Sequence, residues 1–250
     1  MINYLLKNAE FSKIFRFISP NFLRVVSPSV LIGLAQRLKK NKNNSARWMS
    51  LLQRYSVLTS QPPLEIQIDP LNPSKRQGRE AAVVLTGNKI LTLFFHQIIT
   101  QSTWILDFRS DAFEGTQTGG LKWRPQPYFY EISPVFLAGV RSLYQGFYRS
   151  DDALFDQALA ELGLSAAGQS LRNHFGVGDQ SQVYFQLKTF QNTFTEVFDV
   201  CAREGVKLQP EFFVLGIILL GLYENLEILG VSFDARACFE SAFKMSGAAK

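Results

Sequence analysis

The 250-residue, 28.3 kDa chain has 46% apolar residues, enough to bury a substantial core and too many for a disordered segment. Its net charge of +5 is unevenly placed: residues 1–80 hold 13 Lys/Arg against 4 Asp/Glu, whereas residues 81–250 hold 13 against 17. Only two cysteines occur, Cys201 and Cys238, both in apolar helical surroundings, which excludes a disulfide framework and makes a reducing compartment the expectation.

Residues 1–18 lack the continuous apolar run of a secretory signal, because Lys7, Glu10, Lys13 and Arg16 interrupt it. Tyr4, Leu5, Phe11, Ile14, Phe15 and Ile18 form a helical apolar stripe instead. Ser19-Pro20 and Ser27-Pro28 read as helix starts, a polar cap followed by proline in the first turn, and Val30, Leu31, Leu34, Ala35 and Leu38 continue the pattern. Residues 39–45 (KKNKNNS) read as a solvated linker, and Trp48, Met49, Leu51, Leu52 and Tyr55 as a further amphipathic helix ended by Pro62-Pro63. Residues 1–60 are therefore expected as a basic helical arm and residues 61–250 as the main domain.

Leu64, Ile66 and Ile68 alternate with polar residues at the period of a half-buried strand, and residues 70–80 read as a loop. Residues 81–101 fit either a hairpin turning at Gly87-Asn88 or a helix. Trp104–Phe108 suits a short strand, and Gly119–Trp123 the turn and strand of a small ribbon. After Pro134 the pattern is helical, with Ser150-Asp151-Asp152 capping one helix and Gly163 ending it.

Leu187, Phe190, Phe194, Val197, Phe198 and Cys201 then form one buried helix face. Pro210 opens a second helix whose apolar run, Phe212–Tyr223, is short of the roughly 20 residues a bilayer span needs, so a core helix and no transmembrane segment are expected. Phe190, Phe194, Leu215, Leu219 and Leu222 are expected to meet between the two.

The sequence from Phe190 to Phe239, a Phe-rich helix, "LQPEF", a leucine-rich helix and "LGVSFD", resembles the C-terminal end of the UbiB-like atypical kinases. "GVRSLYQGFYRSDDALFDQALAELGL" (139–164) and "LFFHQIITQSTWILDF" (93–108) are similar to two earlier segments of that family, so the resemblance covers roughly the last 160 residues. It implies a mainly α (α+β) fold, a helical bundle like a kinase C-lobe with a small β-ribbon, preceded by the helical arm, and it favours helix over hairpin for residues 81–101, at least from Lys89 onward. It also implies a tie to ubiquinone and other prenyl-lipid pathways. The family's catalytic loop has the form H-A-D-x-H-x-G-N, followed by a hydrophobic-hydrophobic-D-x-G metal motif. The resemblance places Asp107 at the first Asp, and Asp111 at the Asn if one residue is deleted. The metal motif is replaced by Leu121-Lys122-Trp123-Arg124, whose cations repel magnesium, and residues 1–90 hold nothing like the family's nucleotide-binding motifs.

Asp107 and Asp111 thus read either as turn-stabilising acids or as a residual cofactor-binding pair, with no resident cofactor or metal expected. His96, on an otherwise apolar helix, and His174 read as satisfied structural histidines, and residues 174–182 lack a phosphate-binding fingerprint. Tyr128, Phe129 and Tyr130 lie between two prolines, and with Trp123 and Arg124 they have the composition of an exposed interface patch. Lys7, Lys13, Arg16, Arg24, Arg37, Lys39 and Lys40 suit an anionic membrane surface, a protein partner or the chain's own acidic part, and no nucleic-acid motif accompanies them. The expectation is a non-catalytic pseudokinase-like binding or scaffold protein, cytoplasmic and peripheral to a membrane. The alternatives are a phosphotransferase or lipid-modifying enzyme using Asp107 and Asp111, or an obligate subunit of a complex.

Overall fold

Helix ends in this chain are set by short-range chemistry. Ser27 and Ser133 each accept a hydrogen bond from the N–H three residues on, at 3.4 Å, and each precedes a proline in the first turn. Asp151 and Asp234 cap in the same way at 2.9 and 2.8 Å. Gly163 and Gly230 end helices with left-handed φ of 71° and 69°, a backbone conformation that side chains strain.

The computed structural model describes residues 25–56, 65–66, 75–115, 121–175 and 182–246. In chain order these form α1 (Pro28–Lys42), α2 (Ser45–Ser56), β1 (Glu65–Ile66), α3 (Lys75–Thr100), β2 (Thr103–Ile105), β3 (Phe113–Gly115), β4 (Leu121–Trp123), β5 (Phe129–Glu131), α4 (Pro134–Tyr148), α5 (Asp152–Glu161), α6 (Gly168–Phe175), β6 (Gln182–Val183), α7 (Leu187–Arg203), α8 (Pro210–Leu229), β7 (Phe233–Asp234) and α9 (Ala235–Met245). Among the described residues the fold is mainly α with small antiparallel ribbons, as the sequence pattern implies. The ribbons are β1-β4-β3, β2-β5 and β6-β7, with Trp104 opposite Tyr130, Phe113 opposite Trp123, and Val183 opposite Phe233.

Residues 81–100 are helix, not hairpin, and the region expected as a loop over 70–80 is already helical from Lys75. The reason for the turn-like Gly87-Asn88 lies in packing: a Cβ at residue 87 would collide with the Phe233 ring, so glycine lets β7 lie against the helix backbone. Similarly, the linker expected at residues 39–45 is helical up to Lys42, with the break confined to Asn43 and Asn44. The stretches at 57–64, 67–74, 116–120 and 176–181, with the calls on Pro62-Pro63, Leu64, Ile68 and most of "HFGVGDQSQ", lie outside the described residues. So do Tyr4 to Ile18 and Ser19-Pro20.

α3 is about 39 Å long by its residue count and runs through the body against α4, α8 and α9. Phe94 and Phe95 on it meet Tyr144 of α4, and Phe95 meets Phe239 of α9, in edge-to-face contacts with ring centroids 5.6 to 6.0 Å apart. α8 is twenty residues long, longer than its twelve-residue apolar run suggests. It and the segment Ala81–Thr100 of α3 are long and apolar enough to cross a bilayer by length and composition, yet 61% and 50% of them are buried inside the protein. Both line the core.

α7 and α8 pair as expected. Phe194 stacks on Phe212 at 5.5 Å, Phe190 meets Tyr223 at 5.1 Å, and Gly216 lies under the Phe194 ring. Leu219 and Leu222 are buried and line a small space with Phe94, Phe95, Tyr144 and Tyr223. An apolar stripe wide enough to face two neighbours does not fix which residue meets which.

Candidate functional site

The loop after β2 carries Asp107, and its backbone geometry is held from four sides. Trp123 of β4 donates its indole N–H to the Asp107 carbonyl at 2.9 Å. Asn225 of α8 donates to the Phe108 carbonyl at 3.3 Å, and Gly221, one turn earlier on α8, leaves room for the backbone at Phe108 and Arg109. The Asp107 carboxylate is buried, and both its oxygens are engaged: Oδ1 accepts from Arg109 Nε at 2.8 Å, while Oδ2 accepts from Arg109 Nη2 at 3.1 Å and from the Gln126 N–H at 2.8 Å. This is a two-pronged Arg–carboxylate clamp.

Asp111 is exposed, in a 3-10 turn over Ser110–Ala112, and stands 3.5 Å from Arg109 Nη1. The structure thus brings Asp107 and Asp111 to one cation and not to a common open face. A divalent ion would have to displace Arg109 from Asp107 to reach both acids. Among the described residues no cluster of three His, Cys, Asp or Glu offers a metal cage. Lys122 sits on β4 opposite Glu114, and exposed Arg124 pairs with Glu114 at 3.1 Å.

The expected exposed aromatic patch is overturned: Trp123, Tyr128, Phe129 and Tyr130 are 2%, 6%, 0% and 3% exposed. Trp123 lies among Tyr55, Phe108 and Phe113. Phe129 and Tyr130 belong to a ribbon covered by α1 and α2, an arrangement that the two flanking prolines do not reveal. The cover is the basic segment itself. Arg37 donates to the Tyr130 hydroxyl at 3.0 Å, Asn41 to the Phe129 carbonyl at 2.9 Å, and Lys42 to the Tyr128 hydroxyl at 2.8 Å. Trp48 stacks on Phe129 at 5.9 Å, and Arg47 pairs with Glu131 at 2.8 Å. The cations also lie over rings, Lys42 4.8 Å from the centre of Tyr128. Of the candidate contact residues, Arg37 therefore serves an internal seam, Lys39 and Lys40 are exposed, and Lys7, Lys13, Arg16 and Arg24 lie outside the described residues.

His96 corrects the reading of a satisfied histidine. Its Nε2 meets Thr100 Oγ1 at 3.0 Å, but Nδ1 is buried with no hydrogen-bond partner. The side chain of His174 lies outside the description. Cys201 and Cys238 are buried as expected, and burial pushes their thiols up to about 11 and about 12, out of the range of a reactive thiolate. Gln97 and Asn225, both buried and hydrogen-bonded in the core, were visible in the sequence only as polar residues breaking apolar runs. In comparisons with known proteins, no family model and no curated protein matches the chain.

Proposed function

We propose that this chain is a non-catalytic binding or scaffold protein related to the UbiB-like kinases, acting at a membrane surface or within a larger assembly. The observation that carries this reading is the clamp on Asp107. At the position where the resemblance calls for an acid serving phosphoryl transfer, the carboxylate is saturated by Arg109 and the Gln126 N–H and serves its own loop. The following motif supplies Lys122 and Arg124 in place of a metal-binding acid. The prenyl-lipid connection rests on the resemblance.

For the surface contact, Lys39 and Lys40 on the exposed side of α1 and the basic residues preceding it offer the charge that anionic headgroups attract. Two measurements test the reading together. Calorimetric titration with magnesium and ATP should show no saturable binding, and the full chain should co-sediment with vesicles containing phosphatidylserine, not with neutral ones, at low salt. Saturable nucleotide binding lost in Asp107→Asn overturns the non-catalytic assignment, and equal sedimentation with both vesicles overturns the electrostatic one.

A further inference from the structure

α9 is the last helix among the described residues and packs on α3, with Ala235, Cys238, Phe239 and Ala242 buried. Phe239 anchors it: the ring meets Phe95 of α3 at 5.6 Å and stacks on Tyr148 of α4 at 5.0 Å. The helix follows the two-residue β7 and Gly230, whose left-handed φ of 69° sets it off from α8. A helix tied in this way can part from α3 while α7 and α8 stay paired, a sub-global opening.

His96 stands on the α3 side of that contact. It lines the groove between the two helices with Ala237, Cys238 and Ser241 of α9, and only 2% of its surface is exposed. Thr100 Oγ1 donates its single proton to the His96 carbonyl at 2.8 Å, so toward the ring at 3.0 Å it acts as acceptor, and Nε2 carries the imidazole proton. Nδ1 is buried and has no hydrogen-bond partner. In the neutral ring this leaves one acceptor unmade. Protonation turns the same nitrogen into a donor with nothing to receive it and adds a charge to an apolar wall, a larger penalty. Burial accordingly lowers the His96 pKa from its ordinary 6.5.

The titratable groups around the ring do not offset that penalty. Among the described residues lining the groove, Lys89 is cationic, none is acidic, and burial pushes the Cys238 thiol up to about 12. On α4, Arg141 donates to the Ile98 and Gln101 carbonyls, and burial pushes the Tyr144 and Tyr148 hydroxyls up, so both stay neutral. On α9, Arg236 adds a cation, Glu240 pairs with Arg149 at 3.3 Å, and Asp234 accepts the capping N–H at 2.8 Å. We propose that His96 makes α9 an acid-sensitive latch: the ring that takes up a proton reaches water by parting α9 from α3, so mild acid loosens this helix and uncovers Phe95 and Phe239. The latch does not depend on the scaffold reading.

Amide hydrogen exchange of the full chain, corrected for the pH dependence of the chemical step, tests it. Amides of Ala235–Met245 should exchange faster than those of α7 at neutral pH, because α9 opens on its own. From about pH 7.5 to about pH 5 their protection should fall about tenfold, the equilibrium weight of one orphaned buried donor. His96→Phe should abolish the fall, and Asp234→Asn, which keeps a capping side chain and cannot titrate, should preserve it. A readout on the wild-type protein keeps the test independent of how the variants fold. The His96 ring, told apart from His174 by His174→Gln, should titrate with the same midpoint as the loss of α9 protection. Protection of α9 equal to that of α7, constant α9 protection across this range, a fall that survives His96→Phe, or one absent from Asp234→Asn overturns the proposal.

Discussion

Gln97 is fully buried on α3 and acts as an extra strand edge for β2: its amide donates to the Ile105 carbonyl at 3.1 Å, and its Oε1 accepts from the Ile105 N–H at 2.8 Å. The same Oε1 accepts from the Tyr55 hydroxyl of α2 at 2.5 Å, so one side chain ties helix, strand and basic segment together. Removing it while keeping its volume leaves buried backbone groups unpaired, at roughly 1–3 kcal/mol for each orphaned group. Gln97→Leu should therefore lower stability by about 3 kcal/mol, read from urea unfolding; a loss under about 0.5 kcal/mol would mean the triad is dispensable. His96 gives the pH dependence. Its folded pKa lies below the unfolded 6.5, so the unfolded chain binds the proton more readily. Stability contributed by the neutral ring is present above pH 6.5 and is lost as pH falls below it toward the folded pKa. The slope of stability against pH in that window should flatten in His96→Phe, with Lys89 and the Cys238 thiol the other titratable groups that line the groove between α3 and α9 beside His96. An unchanged slope would assign the acid sensitivity elsewhere.

At the scale of elements, two glycines inside helices should behave in opposite ways. Gly33 in α1 has open space where a Cβ would stand, so Gly33→Ala should stabilise by about 0.5–1 kcal/mol through helix propensity. Gly87 in α3 touches the Phe233 ring, so Gly87→Ala should destabilise by about 1–3 kcal/mol, overpacking outweighing propensity. Thermal unfolding of both variants checks the pair, and stabilisation by Gly87→Ala would show that β7 yields easily. These glycines also mark what the sequence could and could not disclose. The caps at Ser27 and Asp151, the end at Gly163 and the helical face of Phe190 to Cys201 were legible, because each depends on neighbours within a few residues. The helix through Gly87-Asn88 was ambiguous, because what selects glycine there is a ring nearly 150 residues away in sequence. The neighbours of α8 were legible only in part for the same reason: Leu219 and Phe212 are equally apolar, and only assembly decides that Phe212 meets the Phe194 ring while Leu219 lines the space beside Phe94 and Phe95.

For the whole molecule, the separate roles first suggested for the basic arm and the aromatic patch merge into one seam. Composition marks Arg37, Lys42 and Arg47 as surface cations and Tyr128 to Tyr130 as sticky rings, but neither says that they face one another. Leu31, Leu34, Ala35 and Leu38 of α1 and Leu51 and Tyr55 of α2 join the same hydrophobic cluster as the C-terminal helices. Leu34→Ala should then cost about 3 kcal/mol of global stability, the usual result of truncating a buried leucine. An unchanged unfolding midpoint would mean that α1 is a detachable arm. The central claim, however, concerns Asp107: that it is a structural acid bound to Arg109, in a place where the resemblance would put chemistry. A double-mutant cycle with Asp107→Asn, Arg109→Gln and both together measures it most directly. The account predicts a coupling of about 1.5–3 kcal/mol between the two, as for a hydrogen bond between charged groups shielded from water, and additivity of their separate effects to within about 0.5 kcal/mol would contradict it.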